Sequence, residues 1–246
     1  MRNRLLAVSG KMGAGKDTLA PALAKRLWPE FENLRMSFAT PLRKEIDMII
    51  EATAFADDEG DYLYKINRRL PNPPDDDVLR EARKLALKAI MREDAVTAAD
   101  HTPSMRRLLQ WWGTDVRRAS DPDYWVVKAM SMVDDELDDG HAVYMTDARF
   151  VNELDSVRND GGILVRVDVD EATRINRILS RDGVRPTRGQ LDHVSETAAD
   201  DYDGFDVRID ATDLAVDRIV EMVYTLLKDS MYQEVLDNGK AKEEQR

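Results

Sequence analysis

The chain has 246 residues, 43% of them hydrophobic, which suffices for one large α/β domain or two small ones, and its lack of cysteine excludes disulfides and thiol chemistry. The net charge of −12 argues against a nucleic-acid polymer as partner, although a small anionic ligand needs only local positive charge. No apolar run approaches the roughly 18 residues of a membrane span and no signal-type stretch opens the sequence, so we expect a soluble, cytoplasmic protein without a membrane partner.

Strand and helix signals alternate along the chain. The predicted strands are apolar, β-branched or aromatic runs at 5–8, 35–38, 142–145, 163–167 and 207–209. The predicted helices lie at 16–27, 41–54, 79–91, 104–112, 124–137, 152–159, 171–181 and 214–227. This alternation predicts an α/β fold in which helices cover both faces of a parallel five-stranded sheet, giving three layers.

A glycine-rich turn joins the first predicted strand to the first predicted helix. It reads Gly10-Lys11-Met12-Gly13-Ala14-Gly15-Lys16. Strand, glycine-rich turn, lysine and helix in this order predict a phosphate-binding P-loop. The glycines allow successive N–H groups to face a polyphosphate at the positive end of the helix, and Lys16 reaches the outer phosphates. The alternative is a turn that binds nothing.

The residue after Lys16 departs from the usual motif. A hydroxyl that binds Mg²⁺ normally stands there, whereas this chain has Asp17 and then Thr18. A carboxylate beside the transferred phosphate repels it unless a metal or an arginine intervenes. Asp17 is therefore a ligand of metal or water, a group that faces the second substrate, or only an acid favoured by the helix dipole.

Two stretches interrupt the alternation. Residues 56–77 are rich in aspartate and proline, which predicts an exposed, partly mobile insertion. Residues 229–246 are polar and predict a tail that frays or forms a loose helix. The simplest organisation is one P-loop domain over 1–228, with a helical insertion over about 56–102 and the tail at 229–246.

A tryptophan-rich segment follows the insertion. Trp111, Trp112 and Trp125 lie near Gln110, Thr114, Asp115 and Arg117. Such a set could stack a base and bond its edge, but an aromatic core with a capped turn explains it equally well. Helical periodicity allows at most one of the adjacent Trp111 and Trp112 to face a pocket.

Charged side chains near two predicted element ends suit phosphate and metal. Asp147 and Arg149 follow a predicted strand, where ligands of open parallel sheets bind; the alternative is an N-cap acid and a surface ion pair. Arg174, Arg177 and Arg181 share one helix face. Gly183 and Pro186 are predicted to end that helix and to leave Arg185 and Arg188 on a flexible segment. We expect a lid over about 174–190; a solvated face with an exposed basic loop is the alternative.

Five stretches in order resemble the bacteriophage deoxynucleoside monophosphate kinases. The first is the P-loop with its Gly15-Lys16-Asp17-Thr18 ending. The others are Phe38-Ala39-Thr40-Pro41-Leu42-Arg43, Leu109-Gln110-Trp111-Trp112-Gly113-Thr114-Asp115 with Tyr124-Trp125, Asp147-Ala148-Arg149-Phe150-Val151-Asn152-Glu153, and His193-Val194-Ser195-Glu196. The likeness spans about residues 3–228 without the acidic stretch 56–77.

The resemblance implies a P-loop kinase fold, ATP as donor, Mg²⁺ as cofactor and a deoxynucleoside monophosphate as acceptor, in the host cytoplasm if the chain is phage-encoded. A homodimer is left open. Residue by residue, it implies that Gly13, Gly15, Lys16 and Thr18 bind the donor and that Asp17 lies beside the reaction centre. It places Arg43, Gln110, Asp115 and Arg149 on the acceptor side.

The residues themselves add further candidates. We expect Lys11, Ala14 and Arg174 to contact ATP, and Lys16, Asp17, Arg177 and Arg181 to be catalytic. Trp111, Thr114 and Trp125 are candidate acceptor contacts, and Thr18 and Asp147 are candidate metal ligands. Two other functions share the loop: a small-molecule kinase like dephospho-coenzyme A kinase, which leaves the stretch around Gln110 unexplained, and a non-catalytic nucleotide-binding regulator, which needs no arginine lid.

Overall fold

The computed structural model describes residues 4–93, 97–99 and 102–243. The strands are β1 (Leu5–Ser9), β2 (Asn33–Met36), β3 (Ala142–Met145), β4 (Ile163–Asp168) and β5 (Val207–Asp210). The helices are α1 (Lys16–Leu27), α2 (Thr40–Ala54), α3 (Glu59–Arg69), α4 (Asp76–Glu93), α5 (Pro103–Gln110), α6 (Tyr124–Asp138), α7 (Val151–Asn159), α8 (Glu171–Asp182), α9 (Arg188–Leu191), α10 (Val194–Thr197) and α11 (Val216–Glu243), and a π-helix covers Trp111–Arg118.

The chain divides into two compact units. The sheet unit comprises Met1–Ser37 and Met130–Arg246, and the helical unit is Phe38–Ala129. The helical unit begins before the predicted insertion and ends after it. Residues 94–96, 100 and 101 of that insertion and 244–246 of the predicted tail lie outside the described residues. The rest of the predicted tail continues α11 as far as Glu243.

The five strands of the sheet unit form one parallel sheet in the order β2-β3-β1-β4-β5. In the centre, Leu6 of β1 pairs with Tyr144 of β3 on one side and with Ile163 of β4 on the other. The prediction of a parallel five-stranded sheet is confirmed. Its second strand begins at Asn33, two residues before the prediction.

Helices cover both faces of this sheet, because neighbouring side chains of a strand point to opposite sides. Leu6 and Val8 of β1 belong to the core that α1 and α11 complete. Leu5 faces the other way, toward Gly162 and Val157 of α7. The result is the three-layer α/β architecture of P-loop proteins, and the carboxyl ends of β1, β2 and β3 lie at one edge of the sheet. In the part of the chain described, no helix is both long and apolar enough to cross a membrane.

The expectation of an exposed insertion holds for most residues of 56–77 but fails for the inner face of α3. Tyr62 and Ile66 of this helix are fully buried, since residues four apart share one helix face. Asp58 caps the helix by accepting the Asp61 N–H at 2.8 Å. The acidic run that suggested solvent exposure therefore includes the N-cap of a helix whose other face is core.

The predicted helix over 104–112 continues past α5 as a π-helix. Its i→i+5 hydrogen bonds bring residues five apart into line, whereas an α-helix would separate them by about 140°. Trp112 and Arg117 are such a pair. Trp112 Nε1 and Arg117 Nε both donate to Oε2 of Glu45 at 2.9 Å. The π-helix thus aims two donors at one carboxylate.

Glu45 is the centre of a buried polar network in the helical unit. Its side chain is 3% exposed, and Tyr124 Oη donates to its second oxygen at 2.6 Å. The Arg117 guanidinium also donates to the carbonyl oxygens of Asn72 at 2.7 Å and Pro71 at 3.2 Å. The network ties α2, the π-helix, α6 and the α3–α4 connection together.

We expect Glu45→Ala to lower the free energy of unfolding by about 3–5 kcal/mol, because it leaves the buried Arg117 charge without its partner. Glu51→Ala is the matched control, since Glu51 lies on the same helix and pairs with Arg69 but is 53% exposed. The control should cost less than about 1 kcal/mol. Urea unfolding of both variants measures the difference, and equal costs would contradict a central role for Glu45.

Candidate active site

The glycine-rich turn after β1 has the geometry of a phosphate-binding loop. Gly13 and Gly15 have φ values of +80° and +89°, in the left-handed region that glycine adopts without strain. A Cβ on Gly13 would lie 2.7 Å from the carbonyl oxygen of Arg174, so only glycine lets α8 approach this closely. Because the N-cap of α1 is Gly15, no side chain caps the helix, and although the Thr18 N–H donates to the Gly15 carbonyl at 3.1 Å, the N–H groups of Lys16 and Asp17 remain available to an anion.

Lys16 opens α1 and is held in a buried position. Among the described residues its one hydrogen bond is long, 3.4 Å from Nζ to the carbonyl oxygen of Lys11. Burial, and then repulsion from the Arg149 guanidinium, lowers the pKa of the Lys16 ammonium below its ordinary range. An anion bound at the loop would relieve both effects, which is the electrostatic setting of a phosphate-contacting lysine.

Asp17 is held by two residues that sequence reasoning missed. Thr146 Oγ1 donates to Asp17 Oδ1 at 2.7 Å, and Arg35 Nη2 donates to the same oxygen at 2.7 Å. Arg35 lies on β2 and Thr146 directly follows β3. One feature of the sequence could have pointed to them: in a parallel sheet, the ends of β2 and β3 lie at the same edge as the end of β1, next to Asp17.

Glu196 is a third residue to which sequence reasoning gave no role. It is 5% exposed, it pairs with Nη1 of Arg149, and its Oε2 accepts the Met12 N–H at 2.5 Å. Arg149 Nη1 also lies 3.4 Å from Ser195 Oγ. The segment around His193 thus anchors the guanidinium of Arg149 beside the loop.

Lys11, a candidate ATP ligand, is paired with an acid. Its Nζ lies 2.6 Å from Oδ2 of Asp200. Oδ1 of Asp200 accepts a hydrogen bond from Arg166 Nη2 at 2.7 Å. Arg166 Nη1 in turn lies 3.3 Å from the hydroxyl of Ser9 at the end of β1. Lys11 therefore belongs to an ion network that joins the loop to β4.

Two arginines of α8 brace the loop through its carbonyl groups. Arg174 Nη1 donates to the Met12 carbonyl at 3.1 Å, and Arg177 Nη1 donates to the Ala14 carbonyl at 3.4 Å. Arg181 instead bonds its neighbour Asp182. The helix ends at Gly183, with φ +72°, where the sequence predicts a stop. Arg188, expected in a flexible segment, begins the short helix α9, which Thr187 caps.

A cavity of about 370 Å³ opens beside the loop within the sheet unit. Its wall includes four cationic side chains and two carboxylates: Lys16, Arg149, Arg181, Arg185, Asp17 and Asp182. Four of these six were predicted site residues, namely Lys16, Asp17, Arg149 and Arg181. The arrangement suits a compact polyanion held by cations and backbone N–H groups.

The oxygen donors near the loop suit Mg²⁺ that is shared with a phosphate. In residues 4–93, 97–99 and 102–243, no group of three or more His, Asp or Glu side chains has a metal-binding arrangement. Mg²⁺ needs fewer protein ligands, because it keeps several waters and uses one or two carboxylates with substrate phosphates. Asp17 and Thr18 are exposed at the start of α1, and Asp147, which accepts the Ser37 hydroxyl, follows Thr146.

The other predicted acceptor residues lie in the helical unit. Trp111 and Asp115 line a cavity of about 670 Å³ there, whereas Trp112 is fully buried, as periodicity predicts for one of the pair. Trp125 is 2% exposed and donates to the Gly113 carbonyl at 2.9 Å, which leaves no open face for an acceptor. The remaining three candidates are exposed: Arg43, Gln110 and Thr114. Arg43 also donates to the Ala98 carbonyl at 3.3 Å.

Comparison with known proteins gives a family and distant structural similarities. The model of the deoxynucleotide monophosphate kinase family matches residues 45–195. A gluconokinase from Sinorhizobium meliloti 1021 is 15% identical with a TM-score of 0.47, over 95% of this chain and 99% of its own. TT1252 from Thermus thermophilus is 14% identical with a TM-score of 0.47, over 93% and 98%. No curated protein matches the sequence. Since the family match covers more than half of the chain, the protein belongs to the deoxynucleotide monophosphate kinase family and is a phosphotransferase.

Proposed function

We propose that the protein transfers the γ-phosphate of ATP to a deoxynucleoside monophosphate, giving ADP and a deoxynucleoside diphosphate. The observation that carries the proposal is the cavity at the P-loop, where buried Lys16 lies with Asp17 and Arg149 in one wall. Phosphoryl transfer depends on the positioning of the reactants and on the stabilisation of charge, and the side chains of this wall can provide both. Membership of the deoxynucleotide monophosphate kinase family supports the same reaction.

The loop and α8 divide the binding of ATP between them in this proposal. The N–H groups of Gly13, Gly15 and Lys16 cradle the phosphates, the Ala14 N–H closes the turn by donating to the Lys11 carbonyl at 3.1 Å, and the Lys16 ammonium neutralises the outer phosphates. Arg174 and Arg177 hold the loop carbonyls, so that the amide groups keep their direction toward the ligand. A further cavity along α8, lined by Thr173, Asn176, Arg177, Ser180 and Arg181, is our candidate for the nucleoside part of ATP.

Thr18 and Asp147 are the residues we propose to hold Mg²⁺, with Asp17 as a further oxygen donor. When bound, the ion would neutralise the negative charge that develops on the phosphate oxygens during transfer. Asp147 is oriented for this role by the Ser37 hydroxyl. Arg149 is fixed by Glu196 and presents its guanidinium to a phosphate in the cavity.

The segment 174–190 is proposed to act as a lid over the bound nucleotide. Arg181 and Arg185 line the cavity beside the loop, and Gly183 lies between them in a left-handed conformation. Closing the lid would exclude water, so that hydrolysis of ATP does not compete with transfer. On closure, the Arg181 guanidinium would leave the Asp182 carboxylate and bind a phosphate group instead.

The acceptor's base is proposed to occupy the cavity of the helical unit. Trp111 offers a partly exposed ring for stacking, and the Asp115 carboxylate accepts N–H groups of a base edge. Bulky rings around the sugar would disfavour a 2′-hydroxyl. We therefore expect deoxyribose acceptors to be preferred over ribose acceptors.

An ADP-release assay tests the function directly. With ATP and Mg²⁺, we expect turnover with one or more deoxynucleoside monophosphates, slower turnover with their ribose counterparts, and none with dephospho-coenzyme A. Lys16→Ala should lower the rate by about 100-fold or more, because it removes a cation from the transferred phosphate. Lys25→Ala, an exposed lysine on the same helix, should leave the rate unchanged. Turnover with dephospho-coenzyme A and with none of the deoxynucleoside monophosphates would show that the proposed acceptor is wrong.

The lowered pKa of Lys16 predicts that ATP binding takes up a proton at alkaline pH. In the free protein Lys16 loses its proton below the ordinary range, and bound phosphate raises the pKa again, so ATP affinity should fall as pH rises through the free-protein value. Titration calorimetry in two buffers of different ionisation enthalpy measures the uptake. Lys16→Arg keeps a cation that does not titrate, and uptake that persists in this variant would contradict the assignment to Lys16.

Asp115 provides the test of the acceptor cavity. We expect Asp115→Ala to lower kcat/KM by about 10-fold or more for bases that donate an N–H to this carboxylate, with KM for ATP unchanged. Asp77→Ala, at an exposed ion pair of α4, is the control. Steady-state kinetics over the four deoxynucleotides measure the ranking, and an unaltered ranking would place the base elsewhere.

A further inference from the structure

Three side chains converge on one oxygen atom at the start of α1. Arg35 Nη2 and Thr146 Oγ1 each lie 2.7 Å from Asp17 Oδ1, and they lie 3.1 Å from each other. None of the residues in the described part of the chain donates a hydrogen bond to Asp17 Oδ2. The carboxylate is therefore fixed through one oxygen, and the other is left for a ligand.

The sheet delivers these groups to Asp17 from two strands. Arg35 pairs in register with Tyr144, and Thr146 follows β3 one residue beyond the Met36–Met145 pair. Thr146 is 4% exposed, so its hydroxyl is fixed by packing and by its bond to Asp17. The direction of the Asp17 side chain is thus set by the rigid edge of the sheet, the kind of support that a precisely placed catalytic group needs.

The ion pair between Arg35 and Asp17 contributes little to the stability of the fold. The two side chains are 58% and 56% exposed, and exposed pairs contribute little to stability. The pair lies one residue from Lys16, where a carboxylate without a counter-charge would repel the phosphates of ATP. A guanidinium on Oδ1 of Asp17 offsets that repulsion while leaving Oδ2 open.

We propose that Arg35 and Thr146 are positioning residues for Asp17: they clamp Oδ1, offset its charge and present Oδ2 to the reacting phosphate groups or their metal ion. The proposal rests on the function proposed above. It also explains how this chain accommodates an acid where P-loops usually carry a hydroxyl. Arg35 then acts through Asp17 and makes no contact with substrate of its own.

A double-mutant cycle with Asp17 tests this. Arg35→Met should lower kcat by about 10-fold or more with little change in the acceptor KM, because Asp17 loses its orientation. In an Asp17→Asn background, Arg35→Met should lower kcat by less than about 2-fold further, because the carboxylate through which Arg35 acts is already absent. An Arg35 that binds the acceptor phosphate directly would raise the acceptor KM and keep its full effect in Asp17→Asn, which would overturn the proposal.

Thr146 supplies an independent check with a conservative rescue. Thr146→Val keeps the volume and removes the donor, so kcat should fall, whereas Thr146→Ser keeps the hydroxyl and should restore most of the rate. Arg26→Met is the matched control, because Arg26 forms an ion pair of 2.7 Å with Glu221 elsewhere in the sheet unit. Equal rates for the Val and Ser variants, or a control as slow as Arg35→Met, would refute the clamp.

Binding of ATP gives a readout that needs no acceptor. Titration calorimetry should show ATP bound several-fold more weakly by Arg35→Met than by the unmodified protein, because the Asp17 charge is no longer offset. Adding Asp17→Asn to Arg35→Met should restore the affinity. Affinity that stays low in the double variant would overturn the proposal, whereas a failure of the proposed function alone would leave this pattern in place and appear only as absent turnover with deoxynucleoside monophosphates.

Discussion

The close approach of α8 to the glycine-rich loop is the contact on which the shape of the candidate active site depends. No atom larger than hydrogen fits between Gly13 and the carbonyl of Arg174, so α8 lies directly on the loop. From there Arg174 and Arg177 satisfy the carbonyl groups of Met12 and Ala14. The Met12 and Ala14 N–H groups bond Glu196 and the Lys11 carbonyl, and with its own carbonyls bound by α8 the loop directs the Gly13 and Gly15 N–H groups to the side that an anion can reach. The glycine and the arginines therefore act as one device, although they are 161 or more residues apart in the sequence.

An acidic chain builds its cationic site by pairing rather than by excess charge. Lys11 is matched by Asp200, Arg149 by Glu196, and Asp17 by Arg35. Each pair fixes a long side chain that would otherwise lose rotamer freedom when the ligand binds. Lys16 is the exception, because burial and Arg149 depress its pKa and no carboxylate bonds it among the described residues. The cost of that unbalanced charge is what a bound phosphate relieves.

Local patterns were enough to predict the sheet, the loop and the end of α8 at Gly183, since each depends on residues adjacent in sequence. The rest depends on contacts between distant residues. Thr146 reaches Asp17 across 129 positions and Glu196 reaches Met12 across 184, so neither partner is visible from spacing. The acidic run before α3 is exposed, as predicted, but the burial of Tyr62 and Ile66 in the same helix depends on packing against distant residues of the helical unit.

The π-helix determines which changes of chain length the helical unit can accommodate. Trp112 and Arg117, five residues apart, meet one carboxylate, and an α-helix with one residue fewer would bring them to nearly the same face. A single deletion between them would therefore preserve both bonds to Glu45 while shortening the exposed stretch that holds Thr114 and Asp115. Loss of one codon here changes the outer surface and spares the interior, so the stretch for which we propose a role in acceptor binding can vary independently of folding.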